Sequence, residues 1–305
     1  MPKKKQALQL RRASKGVNWL FPPLLVPSNC AIISNMPTII DGKKIAAKIE
    51  KIAAKEAALL KTKGIVPKLA VVLVGNNKAS LTYIKRKQAA AERVGVVFAL
   101  YQFPKNITKN DLITNVNKIQ QDKKLTGLII KLPLPEKLYV SEVLNAINPA
   151  IDVDCLTDAN IGKLVMQTNL IEPPTPWAVI RTLKEIKFNL KGKNINIVGA
   201  GALVGKPLAI MLVNELASVT TCNSHTKDLK KKCLEADVIV SAVGKQNLIT
   251  ADMVKKNAIV IDTGIVYING IMQGDVDFVN VSKKTSFITP TPGGIGPITV
   301  AKLLL

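Results

Sequence analysis

The sequence predicts an α/β protein in which two α/β domains lie around a cleft, and three observations support this fold class. Short apolar runs of strand length alternate with segments of helical periodicity along most of the chain, as in parallel sheets covered by helices. The length of 305 residues is sufficient for two hydrophobic cores. In the second half, a glycine-rich turn joins an apolar run to an apolar helix, which is typical of a nucleotide-binding unit.

The first half of the chain contains three predicted strands and three predicted helices. Asp41 caps the first helix, in which Ile45, Ile49 and Ile52 recur at helical spacing until Gly64 ends the pattern. The predicted strands comprise residues 69–74, 96–103 and 128–132, and the two further helices comprise residues 79–94 and 109–123. This order predicts a parallel sheet with helices on both faces, and active residues at the carboxyl ends of its strands.

The second half begins at about residue 176 and repeats the alternation. Its predicted strands comprise residues 195–198, 218–222, 238–242 and 258–262, its helices comprise residues 206–214 and 227–236, and a short apolar helix ends at Leu305. Gly199, Gly201 and Gly205 follow the first of these strands, where glycines let the backbone approach a pyrophosphate beside a helix N-terminus. We interpret this half as a Rossmann-like dinucleotide-binding domain, although glycines also serve tight turns that hold no ligand.

The composition narrows the classes of partner. The formal net charge of +22 attracts polyanions, but the sequence lacks the interleaved aromatic and basic residues of a nucleic-acid surface. Lysines on solvated faces explain the charge, so we do not expect nucleic acid as a partner, and salt-sensitive RNA binding would contradict that explanation. No apolar run reaches the length of a membrane span, the cysteines lack metal-site or disulfide spacing, and His225 is the single histidine. We therefore predict a cytoplasmic protein without a metal site or a membrane partner.

Residues 1–35 differ in composition from the rest of the chain. They contain lysines and arginines but no acidic residue, followed by a proline-rich stretch. A basic, acid-free leader is compatible with organelle targeting. It lacks the long apolar segment of a secretory signal peptide, so secretion is not expected. We favour a disordered leader, with Met36 as the beginning of the first domain.

Two side-chain pairs in the first half have spacings that suit chemistry. Tyr83 and Lys87 are four residues apart on one predicted helix, so a phenol and an ammonium group share a face. Such a pair supports acid–base catalysis, and it is also common on a solvated helix face. Asp152 and Asp154 point the same way if the segment is extended. They suit a surface turn, a metal, or the donor edge of a bound heterocycle.

In the second half, Ser224 and Ile265 follow predicted strands of the nucleotide unit. Ser224 comes directly after the second strand, where residues commonly meet the adenosine ribose or its phosphate. Ile265 follows the fourth strand, where a backbone turn passes near the nicotinamide. Both residues are therefore candidates for contacts with the cofactor.

Several short stretches, in this order, carry a resemblance to a known family. They are Asp41-Gly42-Lys43, Val74-Gly75, Ala79-Ser80 followed by Tyr83 and Lys87, Leu132-Pro133-Leu134-Pro135, Asp152-Val153-Asp154, Pro174-Thr175-Pro176, Val204-Gly205-Lys206-Pro207, Gly274-Asp275-Val276-Asp277, and the closing run from Thr289 to Pro297. The closing run is the most specific. Over residues 36–305 the chain resembles the bifunctional methylenetetrahydrofolate dehydrogenase/methenyltetrahydrofolate cyclohydrolase family.

This resemblance implies two reactions on tetrahydrofolate substrates: oxidation of the methylene form with NADP, and hydrolysis of the methenyl form to 10-formyltetrahydrofolate. It also implies a homodimer, a folate-binding catalytic domain at residues 36–155 that includes a returning helix at 290–305, and an NAD(P)-binding domain at residues 156–289. Lys87 becomes the main acid–base residue, Tyr83 lines the folate, and Asp154 holds the pterin ring. The full set of implied site residues is catalytic Tyr83, Lys87, Lys131 and Asp154; further substrate-binding Ile130, Leu132, Pro292, Gly293, Gly294 and Pro297; and cofactor-binding Gly199, Ala200, Gly201, Val204, Gly205, Ser224 and Ile265.

The chain departs from the family pattern at two important places. The family usually has Gln before Leu-Pro-Leu-Pro, and this chain has Lys131. If Lys131 points inward, repulsion should lower the pKa of Lys87 or displace one side chain, so we expect hydrolysis to be weakened more than hydride transfer. The usual Gly-Arg-Ser of the nucleotide turn is replaced by Gly199-Ala200-Gly201, which keeps NAD open as an alternative to NADP.

Two other functions remain open from the sequence. A folate- or nucleotide-binding protein that has lost catalysis predicts stabilisation by ligands without turnover. Another two-domain NAD(P)-dependent dehydrogenase predicts cofactor binding without folate binding.

Overall fold

The computed structural model describes residues 37–305, apart from the side chains of residues 78 and 79. The leader predicted for residues 1–35 lies outside the described residues. Eleven strands and ten α-helices make up the described part of the chain. The strands are β1 Thr38–Ile39, β2 Lys68–Val74, β3 Val97–Phe103, β4 Gly127–Ile130, β5 Asn194–Val198, β6 Ser218–Cys222, β7 Val238–Ser241, β8 Ile259–Asp262, β9 Val266–Ile268, β10 Ile271–Gln273 and β11 Phe287–Ile288. The helices are α1 Gly42–Thr62, α2 Lys78–Val94, α3 Lys109–Ile119, α4 Ser141–Asn145, α5 Asp158–Val165, α6 Pro174–Glu185, α7 Gly205–Asn214, α8 Leu229–Leu234, α9 Phe278–Ser282 and α10 Ile295–Leu304.

The first sheet has three parallel strands in the order β3-β2-β4. Alternate side chains of β2 are buried on opposite faces, because successive residues of a strand point to opposite sides. Ala70 and Val72 pack with the Leu112 side chain of α3. On the other face, Val71 packs with the Ile84 side chain of α2. Helices therefore cover both faces of this sheet, as predicted.

The second sheet has six parallel strands in the order β1-β11-β8-β7-β5-β6. Helices α1, α6, α7 and α10 pack on one face, and α8 and α9 contribute to the core on the other. After the edge strand β1, the chain returns to this sheet at β5, adds β6 on one side of β5 and then β7 on the other side. This reversal creates the crevice in which open α/β sheets bind their ligands. The predicted fold class, two α/β units with a Rossmann-like second unit, is confirmed.

Helices α1 and α10 contribute to the cores of both sheets. Ile49 of α1 packs with Ile298 of α10 in the core of the second sheet. One turn further on, Ala53 packs with Leu303 in the core of the first sheet. Ile52 was expected on the same face of α1 but is 47% exposed, because the buried positions recur every four residues and Ala53 takes the place.

Other elements differ from the predicted boundaries. Helix α8 is shorter than predicted because Asp228, just before it, has a left-handed φ of 54°. Strand β4 ends at Ile130, two residues earlier than predicted. The antiparallel hairpin of β9 and β10 was not predicted at all. In the described part of the chain, no helix combines the length and the apolar composition that a membrane crossing requires.

Candidate active site

A cleft of about 830 Å³ opens where the carboxyl ends of the first sheet face turns of the second sheet. Tyr83 and Lys131 line it on the side of the first sheet, and Ile265 lines it on the side of the second sheet. An adjoining cavity of about 530 Å³ shares Tyr83 and Ile265 and extends along the segment from Pro290 to Val300. The two spaces therefore form one continuous region around the Tyr83 ring.

Helix α2 places Tyr83 and Lys87 at this region. It begins after Asn77, whose side chain accepts a hydrogen bond from the Ser80 backbone N–H, and it ends at Gly95 with a left-handed φ of 79°. The Lys87 side chain is only 5% exposed, and its Nζ lies 5.4 Å from the centroid of the Tyr83 ring. The pair therefore does not lie on a solvated helix face.

The surroundings shift the pKa of both residues. Burial raises the pKa of Tyr83, and the charge of Asp154 adds to this, so the phenol keeps its proton at neutral pH. Burial lowers the pKa of Lys87, whereas the nearby Asp154 carboxylate raises it. Lys87 is consequently closer to its neutral amine form than a solvated lysine, which is the form that accepts a proton.

Lys131 points into the same cleft. Its Nζ lies 5.8 Å from the centroid of the Tyr83 ring and donates a hydrogen bond to the Leu132 carbonyl. The pKa of Lys131 is lowered to about 8, mainly by burial and also by the positive charge of Lys87. The Asp154 carboxylate opposes this shift. The Nζ atoms of both lysines thus lie beside the Tyr83 ring, at 5.4 and 5.8 Å from its centroid; Lys131 lines the cleft, whereas Lys87 is buried.

The two neighbouring aspartates have different surroundings. Asp152 is fully buried and accepts hydrogen bonds at the start of α5. The donors are the Leu156 N–H at 2.9 Å, the Thr157 N–H at 2.8 Å, the Thr157 hydroxyl at 2.8 Å and the Asn160 amide at 3.1 Å. Burial raises the pKa of Asp154, while Lys87 and then Lys131 lower it. Asp154 therefore belongs electrostatically to the lysine pair, whereas Asp152 anchors a helix.

The nucleotide turn lies between β5 and α7. Gly199 has a φ of 113°, and a Cβ there would lie 2.4 Å from the Ala242 carbonyl oxygen. A Cβ on Gly205 would lie 1.8 Å from the Gly199 carbonyl oxygen. Both positions therefore require glycine for close backbone packing. No atom lies within 4 Å of a Cβ built on Gly201, so this glycine faces open space and a side chain would fit.

The other predicted site residues fall into three groups. Ile130 and Leu132 are buried in the core of the first sheet, and the neighbouring Pro133 and Leu134 line the cleft instead. The predicted residues of the closing segment line the adjoining cavity; they are Pro292, Gly293, Gly294 and Pro297. The remaining cofactor candidates lie on turns at the carboxyl edge of the second sheet; they are Ala200, Val204, Ser224 and Ile265. Of these, Ile265 lines both spaces, whereas Ser224 is exposed and lines neither.

Residues of the β9–β10 hairpin also line the cleft, and the sequence reasoning missed them. Tyr267 and Met272 face the cleft from this hairpin. The signal was present, since Asn269 and Gly270 form the turn with φ of 51° and 79°. Asn-Gly between short apolar runs is a strong indication of a two-residue hairpin turn.

The described residues contain no group of three or more His, Cys, Asp or Glu side chains arranged to hold a metal ion. Cys155, which stands where the resembling family usually has glycine, has a left-handed φ of 56°. That conformation is the physical reason for a glycine preference at this position.

Comparisons with known proteins show the family to which the chain is similar. Residues 40–154 match the family model described as "Tetrahydrofolate dehydrogenase/cyclohydrolase, catalytic domain", and residues 173–305 match the corresponding NAD(P)-binding domain. The chain is 47% identical over 268 residues to the bifunctional protein FolD of Nautilia profundicola, covering 88% of this chain and 94% of the relative.

Solved structures of similar proteins cover the same part of the chain. The bifunctional FolD enzyme of Campylobacter jejuni is 42% identical, with a TM-score of 0.84 over 88% of this chain and 95% of that one. The dehydrogenase-cyclohydrolase of Trypanosoma brucei, solved with NADP and an inhibitor, is 33% identical, with a TM-score of 0.84 over 88% and 95% of the two chains. The chain described here therefore belongs to the tetrahydrofolate dehydrogenase/cyclohydrolase family.

Proposed function

We propose that the protein oxidises 5,10-methylenetetrahydrofolate to the methenyl form with NADP, and then hydrolyses the methenyl form to 10-formyltetrahydrofolate. The observation that carries this proposal is the buried Lys87 amine 5.4 Å from the ring of Tyr83, which lines a cleft that also reaches turns at the carboxyl edge of the Rossmann-like sheet. Both reactions act on the same one-carbon bridge, so a single cleft serves both.

The residues present at the second sheet fit a dinucleotide. The tight packing of Gly199 against Ala242 and of Gly205 against Gly199 brings the α7 N-terminus to the crevice beside β5, where a pyrophosphate meets free N–H groups. Ile265 lies where the nicotinamide would face the folate side of the cleft. NADP, when bound, supplies the acceptor for the hydride.

For hydride transfer, the protein mainly supplies orientation. The apolar walls of Pro133, Leu134 and Ile265 enclose the cleft between the two sheets. Tyr83 offers a flat ring against which an aromatic part of the substrate can stack. The Asp154 carboxylate can accept hydrogen bonds from the donor edge of the pterin, which fixes the methylene carbon relative to the second sheet.

For hydrolysis, the protein supplies a base. The Lys87 amine accepts a proton from a water molecule whose oxygen forms a bond to the methenyl carbon. The bond between that carbon and the ring nitrogen that becomes N5–H in the product then breaks as the new hydroxyl loses its proton to solvent and becomes the formyl C=O, and the nitrogen takes up a proton from the Lys87 ammonium. The products are 10-formyltetrahydrofolate and one released proton. Because the pKa of Lys87 is lowered by burial, the amine form is available for the first step.

Lys131 adds a second ammonium group to this site. We propose that it makes hydrolysis slower relative to hydride transfer, because only hydrolysis needs a proton acceptor whose basicity is tuned. We further propose a homodimer, which the family resemblance supports, and a cytoplasmic location, which fits the free cysteines Cys155, Cys222 and Cys233.

The test uses the full-length protein with methylenetetrahydrofolate, with NADP or NAD offered in turn, while reduced cofactor and methenyl product are followed together. Two results together would support both activities: NADP is reduced, and the methenyl product stays below the level that would build up if spontaneous hydrolysis alone removed it. If ligands stabilise the protein but no turnover is detected, the protein is a binding protein and the proposed activity is wrong.

Variants at Lys87 test its role. Lys87→Ala should reduce methenyl hydrolysis by about a hundredfold or more, which is the usual contribution of a positioned base. Lys85→Ala is the matched control, because Lys85 is exposed on the same helix, and it should behave as wild type. Equal activities of the two variants would contradict the assignment of Lys87 as the base.

A further inference from the structure

A buried carboxylate outside the cleft, that of Asp275, organises the turn that follows β7. Asp275 is fully buried, and both of its side-chain oxygens accept hydrogen bonds from residues 241–245. The donors are the Ser241 hydroxyl at 2.7 Å and the backbone N–H groups of Val243, Gly244 and Lys245 at 2.8 Å each. Three of these four partners are backbone N–H groups, which can only donate, so the side chain at this position must present accepting oxygens to the turn.

The same side chain also fixes the turn that follows β8. A Cβ built on Gly264 would lie 2.1 Å from the Asp275 carboxyl carbon, so the Gly264 backbone packs directly on this carboxylate. Asp262 accepts a hydrogen bond from the Gly264 N–H at 2.9 Å. The Thr263 hydroxyl and N–H both donate to the Ser241 carbonyl at 2.8 Å. The turns after β7 and β8 are therefore held as one unit with Asp275 between them.

This unit lies beside the nucleotide turn. The Ala242 carbonyl, which Gly199 approaches closely, immediately precedes the segment that Asp275 holds. Val243 and Ile265, on the two turns, are 48% and 43% exposed although they are apolar. Both follow the carboxyl ends of adjacent strands next to the crevice, where the nicotinamide half of a dinucleotide lies once its pyrophosphate is on the glycine turn.

We propose that Asp275 is a positioning residue for the nicotinamide half of the cofactor, holding the turns at Val243 and Ile265 in the geometry that the cofactor binds. This inference rests on the proposed function. It predicts that a substitution of Asp275 weakens cofactor binding but leaves methenyl hydrolysis unchanged. Hydrolysis of the methenyl form involves no oxidation and needs no dinucleotide, so it should not depend on Asp275.

The test variant is Asp275→Asn, which keeps the side-chain shape but places an NH₂ group against two hydrogen-bond donors. We expect the KM for NADP and the Kd for NADPH to rise about tenfold or more, because hydrogen bonds to a charged acceptor are lost. The KM for the folate substrate and the rate of methenyl hydrolysis should stay within about twofold of wild type. Asp277→Asn is the matched control, since Asp277 only caps α9, and its cofactor constants should not change.

An equal loss of hydrolysis and of cofactor affinity in Asp275→Asn would overturn the inference, because it would show a general structural role. Unchanged NADPH affinity would overturn it as well. If Asp275→Asn does not fold, Ser241→Ala removes one donor and leaves the carboxylate, and a rise in the NADPH Kd with normal hydrolysis is then the supporting result. A wild-type protein that binds NADPH without turnover would contradict the proposed function, while NADPH titration of the variants would still decide the role of Asp275.

Discussion

Two lysine side chains interact with a single carboxylate, that of Asp154, at the candidate site. Lys87 and Lys131 both approach the Tyr83 ring, and Asp154 interacts electrostatically with each of them. Burial weakens solvation of the charged forms, and one carboxylate cannot neutralise two cations. Protons on the two lysines are therefore coupled, so a measured pKa belongs to the pair.

Replacing Lys131 tests how this coupling affects the base. Lys131→Gln removes a positive charge near Lys87, so the pKa of Lys87 should rise. Methenyl hydrolysis should then begin to increase at a higher pH, which moves the ascending limb of its pH profile. A base of higher pKa is a stronger acceptor once it is deprotonated. The limiting rate at high pH should therefore increase by about threefold or more.

The dehydrogenase rate of Lys131→Gln should change by less than about twofold, because hydride transfer depends on orientation. Lys137→Gln is the control, since Lys137 is exposed in the same segment. A hydrolysis limb that stays in place, or that moves to lower pH, would show that Lys131 does not influence Lys87.

At the scale of elements, Asp152 illustrates a carboxylate that acts through a helix. Its four hydrogen bonds hold the first turn of α5. Asp152→Asn should lower the free energy of unfolding by about 2–3 kcal/mol, because the oxygen that accepts all four bonds becomes a weaker acceptor and the new NH₂ group faces the Leu156 N–H inside the core. Urea unfolding measures the change, and Asp158→Asn, at an exposed position of the same helix, should alter stability by less than about 0.5 kcal/mol.

The helices and strands also show which parts of the structure can be predicted from the sequence. The cap at Asp41 and the end of the first helix near Gly64, which has a left-handed φ of 77°, were visible because each is a local signal. The two-residue strands β1 and β11 carry no periodicity, and they form only because distant segments meet. Among site residues, Tyr83 and Lys87 followed from helical spacing. The burial of Asp152 and the hydrogen bonds of Asp275 depend on tertiary contacts that no local pattern encodes.

At the scale of the whole molecule, the closing segment ties the chain end to the first helix. The Gly42 N–H donates to the Gly293 carbonyl at 3.0 Å, and a Cβ on Gly42 would lie 1.8 Å from the Gly294 carbonyl oxygen. Helices α1 and α10, which begin at this contact, contribute to the cores of both sheets. The contact therefore links the stability of both units to the geometry of the cavity wall at Gly293 and Gly294.

Two alanine substitutions at this contact should have opposite effects. Gly42→Ala cannot be accommodated without separating α1 from the closing segment, and it should cost about 3 kcal/mol or more because backbone rather than a flexible side chain must move. Gly296→Ala lies inside α10 with no atom within 4 Å of the new Cβ, and it should stabilise the protein by up to about 1 kcal/mol through helix propensity. Urea unfolding followed by circular dichroism would measure both. Since α1 and α10 enter both cores, Gly42→Ala should lower the unfolding midpoint of the two units together. Separate unfolding of one unit, with the other unchanged, would show that this contact does not couple them.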